Sequence, residues 1–139
     1  MSYDTLKDGI SGILKAQKYT ESNQAFDFED AGANEYENTF IIKALSGKND
    51  EETSETLSSL IYDIQEWEIQ IAFSLSALNS IVNRDEINRR RDILVKELDD
   101  PSNWTSYARI QKYIKWEIEE RESYLVLKIT LKVIDTVTY

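Results

Sequence analysis

Residues 66–75 have the sequence EWEIQIAFSL, in which apolar and polar side chains alternate. The apolar positions are Trp67, Ile69, Ile71, Phe73 and Leu75. Because successive side chains of a strand point to opposite faces, this period of two predicts a strand with one face in a core and the other in water. The residues before it, 57–64, are compatible with an earlier start of the same strand or with a helical turn.

A helix is predicted at residues 3–18, because Leu6, Ile10, Ile13 and Leu14 follow helical spacing. Ser2 is its expected N-cap. Gly9 and Gly12 weaken such a helix by about 1 kcal/mol each, and they are compatible with a close approach to a sheet. The helix needs a surface to cover its apolar face.

Between this helix and residue 66 the sequence predicts one strand and two polar connections. Residues 19–38 are turn-prone and are expected to form a long connection, with a short strand around Phe26 and Phe28. Residues 39–45, TFIIKAL, are rich in β-branched and aromatic side chains, which predicts a strand. Residues 46–56, SGKNDEETSET, predict an acidic and mobile loop.

A second helix is predicted at residues 80–98, with an apolar stripe that includes Ile87, Leu94 and Leu98. Asn83 and Glu86 have the spacing of a capping box. The sequence Asp99-Asp100-Pro101 is expected to end the helix, because proline disfavours helical geometry in the residue before it.

The C-terminal part predicts an antiparallel hairpin, since apolar and polar residues alternate over 114–119 and again over 127–133, around a polar turn at 119–123. The whole order is helix, strand, strand, helix, strand, strand. Paired strands without strict β–α–β alternation predict an α+β fold, with one antiparallel or mixed sheet and helices packed on one face. We expect residues 1–139 to form a single domain.

The composition excludes several kinds of chemistry. The chain has 139 residues and a formal net charge of −10, with no cysteine and no histidine. Disulfides, Cys/His zinc sites and the Ser-His-Asp and Cys-His nucleophilic arrangements are therefore excluded. We expect no catalytic residues, no metal ligands and no cofactor, and the acidic balance argues against binding to nucleic acid phosphates.

No membrane segment or signal peptide is expected from the sequence. No stretch approaches 18 consecutive apolar residues, and the N-terminus has no basic start followed by an apolar block. We therefore expect synthesis and assembly in a reducing cytoplasm.

The negative charge is concentrated in one third of the chain. Residues 21–66 contain twelve acidic and two basic residues. Two interpretations stay open. The acids belong to solvated loops, or they form a surface that faces one partner or a channel through which an anionic polymer slides.

Other candidate sites have simpler structural interpretations. The adjacent carboxylates Asp99 with Asp100 and Glu119 with Glu120 fall in a predicted helix stop and turn, where solvated acids are common. Residues 89–91 are three consecutive arginines. On a helix their side chains point about 100° apart, so they cannot converge on one anion. We expect them to form salt bridges to acids such as Glu86. Trp67 and Trp116 have the phase of inward-facing strand residues.

The chain resembles the small tail terminator and tail-completion (neck) proteins of long-tailed bacteriophages and related particles. The resemblance covers residues 6–137. It is carried by the element order, by the tryptophan-led strand EWEIQIAFSLS, by the helix stop LDDPSNW and by the terminal strand KITLKVIDTVTY. It includes no catalytic signature, so no residue role is transferred.

The resemblance implies a structural protein of the virion rather than an enzyme. Such proteins form a ring, usually a hexamer, on the last ring of the tail tube protein, where they stop polymerisation and dock a head-completion or connector protein. DNA passes through such a ring without specific binding.

Two sets of residues become candidates for this role. The acidic loop is a hypothetical lining of the lumen, where it would repel DNA phosphates, and includes Asp50, Glu51, Glu52 and Glu55. A closed ring needs head-to-tail contacts, for which strand addition at an edge of the terminal hairpin, including residues 124–134, is a natural device. The candidate interface residues are Trp104, Tyr124, Lys128 and Lys132.

Three other functions remain open at this point. One is a different head–tail joining or baseplate component. Another is an acidic cytosolic protein-binding module that mimics DNA, which needs carboxylates spaced like phosphates on a rigid surface. The third is a small enzyme that uses carboxylates alone.

Overall fold

The computed structural model describes residues 3–22, 38–49, 60–74, 80–103, 108–120 and 124–138. Two α-helices, a short 3-10 turn and five strands form in this order: α1 Tyr3–Ala16, β1 Thr20–Glu21, β2 Thr39–Asn49, β3 Leu60–Ser74, α2 Ser80–Asp99, the 3-10 turn Pro101–Asn103, β4 Ala108–Glu120 and β5 Tyr124–Thr138.

The five strands form one mixed sheet in the order β1-β2-β3-β5-β4. The four long strands are antiparallel to their neighbours, while the two-residue β1 is parallel to β2. This confirms the predicted α+β class with a single sheet. The order differs from the prediction by the addition of β1, and the strand expected around Phe26 and Phe28 lies outside the described residues.

The core lies between the helices and one face of the sheet. The alternation in β3 is confirmed, since Trp67, Ile69 and Ile71 are fully buried. Each lies opposite an apolar residue of β5. The predicted helix faces are buried against the same residues, and the shared cluster includes Leu6, Ile10, Leu14, Ile87, Leu94 and Leu98. Both helices therefore cover one face of the sheet.

Strands β2 and β3 are both longer than the sequence indicates. β2 continues through residues 46–49, which the sequence assigned to the polar loop. The pairing with β3 shifts at Leu45, between Ala44 and Ser46. Such a bulge lets a strand continue through residues of low strand propensity. The ambiguous residues before 66 are in β3 from Leu60 onward, and residues 50–56 of the predicted loop lie outside the described part.

The predicted helix ends need two corrections. α2 begins at Ser80, so Asn83 is inside the helix and the capping box is wrong. α1 ends at Ala16, two residues earlier than predicted. Lys18 there has a φ of 71°, and the backbone N–H of Tyr19 donates to the carbonyl of Leu14 at 3.2 Å. The left-handed residue ends the helix and turns the chain into β1.

Gly12 does not serve close helix-to-sheet packing. It is exposed, and a Cβ atom added there would meet nothing within 4 Å. Ser2 lies outside the described residues.

The predicted stop of α2 is confirmed. The helix ends at Asp99, and the 3-10 turn follows directly after Asp100. The Asp100 carboxylate accepts hydrogen bonds from the backbone N–H of Ser102 at 3.0 Å and from its hydroxyl at 2.8 Å. These hydrogen bonds lower the pKa of Asp100 below its usual value.

Candidate functional site

Three of the predicted functional residues lie within the described part of the chain. Tyr124, Lys128 and Lys132 are all on β5, on the sheet face opposite the helices. The acidic residues proposed for the lumen and Trp104 lie outside the described residues, so their placement stays a prediction.

The terminal hairpin does supply an edge of the sheet, but through β4 and not through β5. β5 is paired with β3 on one side and with β4 on the other. The expectation that residues 124–134 form the free edge is therefore wrong. Periodicity identifies a strand but carries no information about its neighbours, so the sequence could not distinguish the two arms.

Tyr124 and Lys132 differ in the solvent exposure of their side chains. Tyr124 is fully buried, so its side chain belongs to the protein interior. Lys132 is half-buried and lies opposite Glu66 of β3 and Lys112 of β4. Lys132 thus retains an accessible charge near the middle of the sheet.

Lys128 is the centre of a charged cluster on the sheet face opposite the helices. Its ammonium lies 2.5 Å from Oε2 of Glu119 and 3.8 Å from Oε1 of Glu117, both on β4. The Glu119 oxygen is shielded from solvent. Because a shielded carboxylate oxygen is costly without a partner, the Lys128 charge stabilises the pairing of β4 with β5.

The outer sides of β2 and β4 are the two edges of the sheet. Within the described part of the chain, β1 is the one strand outside β2, and it pairs with Thr39 and Phe40 alone. No described strand lies outside β4. Two long strands therefore present backbone donors and acceptors on opposite sides of the molecule.

Exposed apolar side chains mark both of these edges. Leu45 of β2 is 48% exposed and Trp116 of β4 is 41% exposed. A third exposed apolar residue, Ile93, lies on α2. The prediction that Trp116 is packed in the core is therefore wrong. Its ring does lie on the helix side of the sheet, but β4 is an edge strand that the helices cover incompletely.

Trp116 is held in place by a cation–π contact. The guanidinium carbon of Arg91 lies 3.9 Å from the centre of its ring. Arg91 is itself fixed, because its Nη1 donates to Oδ1 of Asn88 at 2.6 Å and its Nη2 lies 3.0 Å from Oδ1 of Asp92. An exposed aromatic ring held in one orientation is suited to a contact with another protein, because little conformational entropy is lost when it binds.

A cleft of about 410 Å³ lies between the end of α1, the start of β2 and α2. Arg90 crosses it, donating to Oδ1 of Asn38 at 2.8 Å and to Oε1 of Glu86 at 3.1 Å. Burial raises the pKa of Tyr19 in this cleft, and the charge and hydrogen bond of Arg90 partly oppose that rise. Tyr19 is therefore neutral at neutral pH. The arrangement joins α2 to the sheet and provides no activated nucleophile.

The arginine run behaves as predicted. Arg89 and Arg90 both pair with Glu86, at 3.5 and 3.1 Å, while Arg91 points toward β4. The three guanidinium groups do not converge on one anion site.

The described residues offer no cluster of three acidic, cysteine or histidine side chains that could bind a metal ion. None of the described helices combines the length and the apolar character that crossing a membrane requires. No protein-family model matches the chain, and no curated protein matches it.

Proposed function

We propose that this chain is a structural protein of the virion neck, a tail terminator that caps the tail tube. It forms a ring, with six copies expected, that stops tube polymerisation and docks a head-completion or connector protein. The observation that carries the proposal is a single sheet with four long antiparallel strands, covered by helices on one face, in which the free sides of β2 and β4 lie on opposite sides of the molecule. A subunit of this kind has two different surfaces for two neighbours, which is what a closed ring requires.

The order of the elements supports the same role. Setting aside the two-residue β1, the chain runs α1, β2, β3, α2, β4, β5, as in the proteins it resembles. The helix stop of that resemblance corresponds to the end of α2 and the turn at Pro101–Asn103. Location in the particle and assembly in the host cytoplasm follow from this role and belong to the proposal.

Among the described residues, the sheet face opposite the helices gives no support to mimicry of DNA. A mimic needs an acidic and rigid surface, but this face carries charges of both signs. Lys128 lies between Glu117 and Glu119, and Lys43 lies opposite Glu68. A different head–tail joining or baseplate component uses the same kind of edges and is separated from a terminator by the experiment below.

The test is to remove the gene from a particle that encodes this chain and to image the products. A terminator predicts tubes of uncontrolled length and filled heads without tails, with both defects repaired when the protein is supplied. Tails of normal length joined to filled heads would overturn the proposal. Tails of normal length that fail to join heads would instead assign the chain to a different joining component.

A further inference from the structure

We propose that neighbouring copies join edge to edge, with the outer side of β2 in one copy hydrogen-bonded to the outer side of β4 in the next. The sheets then form one continuous antiparallel band around the ring. This inference rests on the proposed function, because it names the contact that closes the ring. The partner is a second copy of this chain.

Strand direction makes this contact possible. β2, β3, β5 and β4 alternate in direction across the sheet. Because four strands alternate, β2 of a copy placed beside β4 runs antiparallel to it. The helices of that copy then lie on the same side of the sheet. Repeating this step continues the sheet without reversing a subunit, and antiparallel pairing joins main-chain groups directly.

The length of the free edges also fits. β1 pairs with the first two residues of β2, which leaves residues 41–49 with no described strand outside them. β4 has 13 residues. The neighbouring β4 can therefore cover the whole free part of β2 without displacing β1.

Exposed apolar residues favour contact between unlike edges. Leu45 lies on β2 and Trp116 on β4, so a single kind of head-to-tail contact covers both in every copy. A two-fold contact of β4 with β4 would cover Trp116 and leave Leu45 in water.

The charges near the two edges are complementary. In an antiparallel contact, the first half of β2, with its exposed Lys43, lies beside the last half of β4. That half contains Glu117 and Glu120, whose pairs with Lys128 and Arg84 leave more than half of each side chain exposed to a neighbouring cation. Opposite charges on neighbouring strands support this pairing, while two β2 strands meet without such a match, because β2 contains lysines and no acid.

The experiment measures the mass of the intact assembly, by native mass spectrometry and light scattering, with the tail tube protein present. Leu45→Asp and Trp116→Glu each place a charge on one edge, and we expect each to weaken the contact by about 30-fold or more and abolish the ring. Ile93→Asp is the matched control, since it changes an exposed apolar residue on α2, away from both edges. It should leave the ring intact. Circular dichroism confirms that each variant folds.

Mixing the two defective variants gives the sharpest result. Leu45→Asp retains a functional β4 edge and Trp116→Glu retains a functional β2 edge, so the mixture should form a one-to-one dimer that grows no further. Dimers of Leu45→Asp alone, or no dimer in the mixture, would overturn the edge assignment.

The remaining outcomes separate this inference from the proposed function. Rings that persist in both edge variants would refute the edge contact and leave the ring proposal standing. An unmodified chain that stays monomeric beside tail tube protein would contradict both.

Discussion

Leu94 and Ile93 are adjacent on α2 and have opposite environments. Leu94 is 1% exposed and belongs to the core cluster, while Ile93 is 52% exposed. We expect Leu94→Ala to lower the free energy of unfolding by about 2–5 kcal/mol, because it removes buried methyl groups and leaves a cavity. Ile93→Ala should change it by about 0.5 kcal/mol or less. Urea denaturation measures both, and similar losses for the two variants would contradict the assigned orientation of α2.

Tyr19 links stability to alkaline pH. Its pKa in the folded chain is raised by burial above the unfolded value of 10.0. A raised pKa means that the folded state holds the proton more tightly, so this contribution is complete below about pH 10 and is lost as the pH rises further. We expect Tyr19→Phe to lose less stability than the unmodified chain between about pH 9 and about pH 11. Equal losses, measured from urea midpoints, would show that Tyr19 does not titrate with unfolding.

For single residues, the sequence predicts burial well where the strand has a neighbouring strand on each side. Trp67 in β3 is buried as its phase predicts. Trp116 has the same phase but is partly exposed, since β4 is an edge strand. Tyr124 is predicted as an interface residue because it belongs to the terminal hairpin that is expected to supply a sheet edge, but it is fully buried. The position of a strand in the sheet decides whether Trp116 and Tyr124 are buried. The periodicity of one sequence carries no information about that position.

At the scale of single elements, α1 contains a removable weakness. Gly12 is helical, and a Cβ atom there has open space around it. We expect Gly12→Ala to raise the free energy of unfolding by about 0.5–1 kcal/mol, because alanine reduces the entropy lost on forming the helix. Calorimetry should show a higher Tm with the ring retained. A lower Tm would contradict this expectation, because it would mean that the added methyl group clashes with a neighbouring residue.

Lys128 adds to the stability of the β4–β5 pairing through its ion pair with Glu119. Lys128→Met removes the cation beside the shielded Glu119 oxygen, and we expect a loss of about 1–3 kcal/mol in the free energy of unfolding. Lys115→Met is the control, because Lys115 is an exposed lysine of β4. It should stay within about 0.5 kcal/mol of the unmodified chain. Denaturant titration of both variants checks the difference, and equal stability of the two would contradict the role of Lys128.

Helices were predicted from sequence more accurately than strand ends. α2 was expected at residues 80–98 and spans Ser80–Asp99, because a long apolar stripe and a proline stop define it. β2 was expected to end at residue 45 but continues to Asn49. Ser46 and Gly47 have low strand propensity, and their pairing with Glu66 and Gln65 across a bulge overrides it. Pairing between residues this far apart in sequence cannot be predicted from the local strand propensity.

For the whole molecule, the placement of the negative charge leads to a prediction about DNA passage. If Asp50, Glu51, Glu52 and Glu55 line the lumen, replacing them with Asn and Gln removes the repulsion of DNA phosphates. We expect slower DNA ejection and fewer infectious particles, most clearly at low salt.

A matched control separates the position of these charges from their number. Asp8, Asp85 and Asp99 are exposed acids on the helices. Replacing these three with Asn gives the same change in net charge as replacing Asp50, Glu51 and Glu52 alone, and it should leave ejection unchanged. Unchanged ejection in both variants would count against the lumen placement.

The central position of β5 determines when the fold can be completed during synthesis. β3 pairs with β5 across 50 residues of sequence at the Ser74–Tyr124 end and across more at the other, and β4 has β5 as its one described partner. Until β5 has left the ribosome, the nascent chain therefore contains a β2–β3 hairpin and a β4 strand without its partner. The apolar faces of the β2–β3 hairpin and of β4 must therefore avoid contact with each other's counterparts in neighbouring nascent chains until β5 pairs with both. The β4 edge thus forms only after β5 joins the sheet, and because the proposed contact needs both the β2 and the β4 edge, chains still being made cannot polymerise in this way.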